Sequence, residues 1–195
     1  MKIIGITGGV GSGKSQVLSF MKDEYQAYIC QADHVAWQLQ EPDERCYIEI
    51  VSHFGKTVLN EDGTIDRKML GKIVFSNEEE LQVLNQIMHP AVKTKIRELI
   101  ETEQKNGTEL FVLEAALLLE DNYDMICDEI WYVYADESVR RIRLKENRMY
   151  SDEKIDAIIN SQLSEVSFRE QCQLVIDNSG EFEDTCYQIR KAMSK

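Results

Sequence analysis

An α/β fold built on a parallel sheet is predicted by three features of the sequence. The chain opens with a β-branched run, Lys2-Ile3-Ile4-Gly5-Ile6-Thr7, then a glycine loop, then Val17, Leu18, Phe20 and Met21 at helical spacing. Further short apolar runs recur at Ala27–Cys30, Glu109–Ala115, Ile130–Tyr134 and Leu174–Asp177, which makes five strands. Helical patterns separate them, the arrangement that parallel strands require.

The glycine loop carries the chemistry. Gly8-Gly9-Val10-Gly11-Ser12-Gly13-Lys14-Ser15 satisfies G-x-x-x-x-G-K-[ST] without a mismatch. Glycines let consecutive backbone amides converge on phosphate oxygens, and the following helix presents its positive end to the same anion. Lys14 suits the β- and γ-phosphates, and Ser15 suits a Mg²⁺ that bridges them. With glycine at roughly 7% of residues, the pattern arises by accident in about one chain in a hundred. The flanking strand and helix lower that further. Gly8, Gly9, Gly11, Ser12, Gly13, Lys14, Ser15 and Gln16 are therefore the expected nucleotide-binding residues. The fold expected around them is a P-loop NTPase-type three-layer α/β fold with a central parallel five-stranded sheet, a helical insertion and a helical lid.

In 195 residues, 43% hydrophobic and 29% charged, the chain has enough apolar matter for one real core. Its net charge of -13 disfavours a nucleic-acid partner and demands a local positive cluster wherever an anion binds. Five scattered cysteines lack metal-ligand spacing, and no apolar run approaches a membrane span. A cytoplasmic location without a membrane partner is expected.

Further along, Asp33 follows the second strand. It either caps its helix or serves as a carboxylate at the carboxyl edge of the sheet, where ligands bind. From about Asp43 to Gly107 the strand signal vanishes. Tyr47, Ile48, Ile50, Val51 and Phe54 form one helical stripe, Asp66 opens another helix, and Ser76 with Glu79 reads as a capping box. Pro90 is expected to begin a separate helix and to leave His89 at a junction. The insertion is larger than a crossover needs, so a second substrate site is expected there. Arg67 reads equally as a solvated residue or an anion contact. Glu114 ends the clearest core strand, where a carboxylate orients Mg²⁺ or its waters. Leu117-Leu118-Leu119-Glu120 reads as an apolar lip. Two helices are expected between the fourth and fifth strands, the first carrying Arg140, Arg141, Arg143 and Arg148. Four arginines in nine residues of an acidic chain suit phosphate binding from a lid, although pairing with Glu137 and Glu146 accounts for one or two. The expected division is a core of 1–33, 108–136 and 172–195, an insertion of about 34–107, and a lid of about 137–171.

Several stretches together resemble the dephospho-CoA kinase family. They are Thr7–Ser15, Gln31-Ala32-Asp33, Asp66-Arg67 with Leu70, Leu84-Asn85-Gln86-Ile87-Met88-His89-Pro90, Leu117–Glu120, Ser161-Gln162 and Val175-Ile176-Asp177-Asn178-Ser179-Gly180. Departures are Gln31 for the first Asp of Asp-Ala-Asp, Ala116 for a proline, Gln16 for a threonine, and Asn147 with Arg148 where the lid arginine falls one place earlier. The resemblance implies transfer of the ATP γ-phosphoryl group to the 3′-hydroxyl of dephospho-CoA, with Mg²⁺. In that reading Lys14, Asp33, Arg143 and Arg148 are catalytic, and Ser15 and Glu114 serve the metal. Asp33, Arg67, His89 and Leu118 meet the acceptor. A monomer is expected. The alternatives are another small kinase of this fold or a nucleotide-binding module of GTPase type. The latter lacks an Asn-Lys-x-Asp segment here.

Overall fold

A computed structural model describes residues 1–115, 118–119 and 123–194. Leu117 and Glu120 of the expected lip, and Ala116 before it, lie outside the described residues. The strands are β1 (Lys2–Thr7), β2 (Tyr28–Gln31), β3 (Leu110–Glu114), β4 (Glu129–Tyr134) and β5 (Leu174–Asp177). They form one sheet in the order β2-β3-β1-β4-β5. β1 pairs in parallel with β3 and β4, with Ile4 opposite Val112 and Gly5 opposite Ile130, and β4 pairs in parallel with β5. A parallel α/β sheet is the expected fold, and it is the observed one.

The chain divides into two compact units, Met1–Ile29 with Glu103–Lys195, and Cys30–Thr102. In the first unit the period-2 pleat sorts side chains to two faces. Ile4, Ile6, Leu110, Val112, Trp131, Val133 and Ile176 share a buried cluster with Val17, Leu18 and Met21 of α1 (Lys14–Tyr25) and Ile189 of α9 (Phe182–Met193). The alternate residues face the other way. There Tyr132 stacks on Phe168 of α8 (Glu165–Gln171) at 4.6 Å, and Phe111 stacks on Tyr28 at 5.2 Å. Helices thus cover both faces of this unit's sheet. Two helices are expected between β4 and β5 and both are present, α6 (Glu137–Arg148) and α7 (Asp152–Asn160), but α8 adds a third before β5. Its seven residues are too few for a periodic pattern to stand out. Its cap is the Ser164 hydroxyl, which accepts from the Ser167 amide.

The second unit is helical, with α2 (Ala32–Gln38), α3 (Arg45–Phe54), α4 (Arg67–Ser76) and most of α5 (Glu78–Lys105). Cys46, Ile50, Val58, Leu70, Val74, Met88, Val92 and Ile96 are its buried residues among others. Three expectations fail here, those for Pro90, for His89 and for the Ser76–Glu79 capping box. Pro90 lies inside α5, a helix of 28 residues, and His89 is helical rather than at a junction. Long apolar-faced helix on both sides outweighs the weak conformational bias before proline. The cap of α5 is Asn77, whose Oδ1 accepts from the Glu79 amide at 3.0 Å, while Ser76 ends α4 and its hydroxyl donates to the Ile73 carbonyl.

Between α3 and α4 a tight turn closes on Gly63 (φ 85°), with Leu59 bridged to Ile65. Asp66 then caps α4, accepting from the Lys68 and Met69 amides at 2.9 and 3.0 Å. That cap sets the position of Arg67. No described helix is long and apolar enough to cross a membrane. Asp66→Ala should cost about 1 kcal/mol and lower the melting temperature by about 2–4 °C in a thermal scan.

Candidate active site

The glycine loop turns from β1 into α1, and its geometry explains its composition. Gly8 has φ 148°, and a Cβ there would collide with the Val133 carbonyl of β4. Gly13 caps α1 at φ 91°, and a Cβ would overlap the Asn178 side-chain amide. Both conditions together leave no residue but glycine.

The loop's carbonyl oxygens are held by side chains. Lys14 Nζ donates to Gly8 O at 2.8 Å. Arg140 Nε donates to Val10 O at 2.9 Å, and its NH2 donates to Gln162 Oε1 at 2.6 Å. The Gln162 oxygen also accepts from the Val10 amide at 3.3 Å. Asn178 Nδ2 donates to Ser12 O at 2.7 Å, and Arg143 bonds both Ser12 O, at 3.3 Å, and Asn178 O, at 2.9 Å. Asn178 is fully buried and meets the Thr185 hydroxyl at 2.9 Å. Burial pushes the Arg140 guanidinium down from its ordinary value, with Tyr132 and Glu137 opposing, but an arginine stays charged across any such shift. Lys14, Arg140 and Arg143 therefore supply the local positive cluster that an acidic chain needs.

Lys14 Nζ also lies 3.9 Å from Glu114 Oε1 at the end of β3, with both side chains largely shielded from solvent. Ser15 and Gln16 are exposed on the first turn of α1. Two buried hydroxyls at the loop, Thr7 Oγ1 and Ser12 Oγ, have no partner.

The first unit thus gathers the loop residues, Lys14, Glu114 and Arg143. Arg148 sits at the exposed end of α6, apart from the loop's hydrogen bonds, where it lowers the pKa of Tyr150 by hydrogen bonding. Arg141 is taken by Glu137 and Asp156. Leu118, expected to meet the acceptor, is instead wholly buried with its side chain packed at Gly5 of β1, so it has no exposed surface to offer a ligand. In the second unit, Asp33 is exposed in the first turn of α2, Arg67 is exposed at the start of α4, and His89 is half-buried in α5. Arg140, Gln162 and Asn178 are loop-holding residues that motif reading did not assign. Their signal lay in the arginine cluster and in the Ser161-Gln162 and Asp177-Asn178 blocks.

The family model described as dephospho-CoA kinase matches residues 2–184. The chain belongs to the dephospho-CoA kinase family. A dephospho-CoA kinase of Carboxydothermus hydrogenoformans is 40% identical over all of this chain and 94% of its own length. One of Halalkalibacterium halodurans is 42% identical over 96% of this chain and 92% of its own. The solved dephospho-CoA kinase of Campylobacter jejuni superposes with a TM-score of 0.73 at 26% identity, covering 100% of this chain and 96% of that one. Dephospho-CoA kinases are ATP-dependent phosphotransferases, and this chain, as a member of that family, is an ATP-dependent kinase.

Because Asn178 is buried with its amide spent on the loop, Asn178→Ala leaves Ser12 O and the Thr185 hydroxyl short of a partner. Urea unfolding should show a loss of about 2 kcal/mol. The Michaelis constant for ATP should rise in the same variant.

Proposed function

We propose that this protein transfers the γ-phosphoryl group of ATP to the ribose 3′-hydroxyl of dephospho-CoA. The observation that carries the reading is a complete phosphate loop in a chain of this family, with three cationic side chains drawn to its backbone.

Phosphoryl transfer asks the protein for position and charge more than for covalent chemistry. In this reading the loop amides and Lys14 hold the β- and γ-phosphates. Lys14 would exchange its bond to Gly8 O for a phosphate oxygen, moving no further than a lysine rotamer allows. Arg143 stiffens the loop through Ser12 O, and Arg148, free of those bonds, is placed to meet phosphate when the 137–171 segment closes and excludes water. Asp33 accepts the acceptor hydroxyl's proton or aligns the hydroxyl. Arg67 and His89 serve the acceptor side.

The residues present fit a Mg²⁺ held mainly by the nucleotide. Ser15 and Glu114 offer one hydroxyl and one carboxylate. No cluster of three or more His, Cys, Asp or Glu able to hold a metal exists among the described residues. Mg²⁺ keeps its waters and takes one or two protein ligands plus substrate phosphates, which matches that sparse set. When bound, it would neutralise charge on the phosphates. The unpartnered Thr7 and Ser12 hydroxyls further suit a polar ligand at the loop. The protein acts in this reading as a cytoplasmic monomer, and the net charge of -13 disfavours a nucleic-acid partner.

The test is an ADP-release assay with Mg²⁺-ATP, with and without dephospho-CoA, with the product weighed by mass spectrometry. ADP release that requires dephospho-CoA and adds one phosphate to it is the expected result. ATP binding without that transfer would sink the reading. Lys14→Ala should reduce turnover at least a hundredfold. Asp33→Asn should reduce turnover while ATP binding, followed by calorimetry, stays near wild type. Wild-type turnover in Asp33→Asn would make that carboxylate structural.

A further inference from the structure

We propose that the exposed layer formed by Trp37 and Arg67 seats the adenine base of the acceptor, and that the cavity beside Arg67 receives the acceptor's diphosphate. This rests on the reading of the protein as a dephospho-CoA kinase, whose acceptor hydroxyl belongs to an adenosine ribose.

Trp37 is 46% exposed on α2, whereas the protein's other tryptophan, Trp131, is wholly buried. The Arg67 guanidinium carbon lies 5.0 Å from the Trp37 ring centroid, and the His34 ring lies 5.1 Å away with its plane tilted by 39°. An exposed aromatic face backed by a cation is the chemistry that holds a flat nucleobase, by stacking and cation–π attraction. It is sequence-tolerant for bases but blind to an aliphatic amide chain such as pantetheine, which has no flat ring.

Spacing on α2 ties this layer to the reacting group. Asp33 and Trp37 are four residues apart, so they project from one helix face on successive turns, with Cβ atoms about 5–6 Å apart. The base at C1′ and the hydroxyl at C3′ lie on opposite sides of one ribose ring, a comparable separation. A nucleoside whose 3′-hydroxyl reaches Asp33 therefore brings its base over Trp37.

The second observation is the cavity. It encloses about 560 Å³ and is lined by Arg67, Lys68, Gln40, Asn60 and Thr64 among others. Two cations and two amides there suit a diphosphate. Of the carboxylates on the same wall, Asp66 already accepts from two backbone amides, which leaves Glu41 as the opposing charge. Arg67 belongs to both features, stacked on Trp37 and exposed to the cavity, as a group between base and phosphate must be.

The experiment reads tryptophan emission as the full-length protein is titrated with dephospho-CoA in the absence of ATP. Trp131 is shielded, so the signal reports Trp37. Saturable quenching is expected, lost in Trp37→Phe and absent when 4′-phosphopantetheine replaces dephospho-CoA. In steady-state assays Trp37→Ala should raise the Michaelis constant for dephospho-CoA on the order of tenfold, with that for ATP unchanged, and Trp37→Phe should restore most of the loss. The proposal is overturned if Trp37→Ala keeps the dephospho-CoA constant within twofold, or if 4′-phosphopantetheine quenches as well as dephospho-CoA. Either result leaves product formation by the wild type intact. Absence of that product would instead overturn the kinase reading itself.

Discussion

The loop after β1 can grip an anion only because its carbonyl oxygens are claimed from behind. Gly8, Val10 and Ser12 each offer an oxygen to a side chain, and the donors are Lys14, Arg140, Arg143 and Asn178. Bonding on that side settles the direction of the peptide planes, since a planar peptide that turns its oxygen one way turns its amide the other. Three of those donors, Lys14, Arg140 and Arg143, also bring positive charge to a chain whose net charge is -13. Geometry and electrostatics of the grip thus have one source.

This arrangement links elements far apart in the chain. Asn178 follows β5, at the far side of the sheet order from β2, and its buried amide meets a residue 166 positions earlier. Arg140 and Arg143 come from the first two turns of α6, and Gln162 from beyond α7. The early turns of α6 are therefore anchored to the loop, while its last turn, with Arg148 and the 85%-exposed Met149, is not. Any movement of the segment during turnover has its hinge constrained by those bonds.

The helical unit works by different means. Its core of Cys46, Ile50, Leu70, Val74 and Ile96 is apolar, but its surface near α2 and the start of α4 carries unlike groups together: a carboxylate, an imidazole, an indole and a guanidinium. A large ring left in water gains nothing by burial. Its stacking partners and the cavity beside it give the exposure a chemical use.

The glycine loop, the five strands and the Asp66 cap were legible in the sequence because each depends on neighbours within a few residues. A strand is a short apolar run, a cap is an Asp two and three places ahead of the amides it serves, and a phosphate loop is a local pattern of glycines and Lys14. Pro90 and α8 were not legible, since in one a weak local bias lost to long helical flanks and in the other seven residues were too few to show a period. Nor could the arginine cluster be sorted by sequence. Arg140 and Arg143 hold the loop, Arg141 pairs with Glu137 and Asp156, and Arg148 stays exposed. Sequence alone determined that this chain binds a nucleotide phosphate and belongs among the α/β kinases. Only the tertiary structure decided which side chains brace the loop, because partners more than a hundred residues apart meet by packing and no local pattern records that meeting.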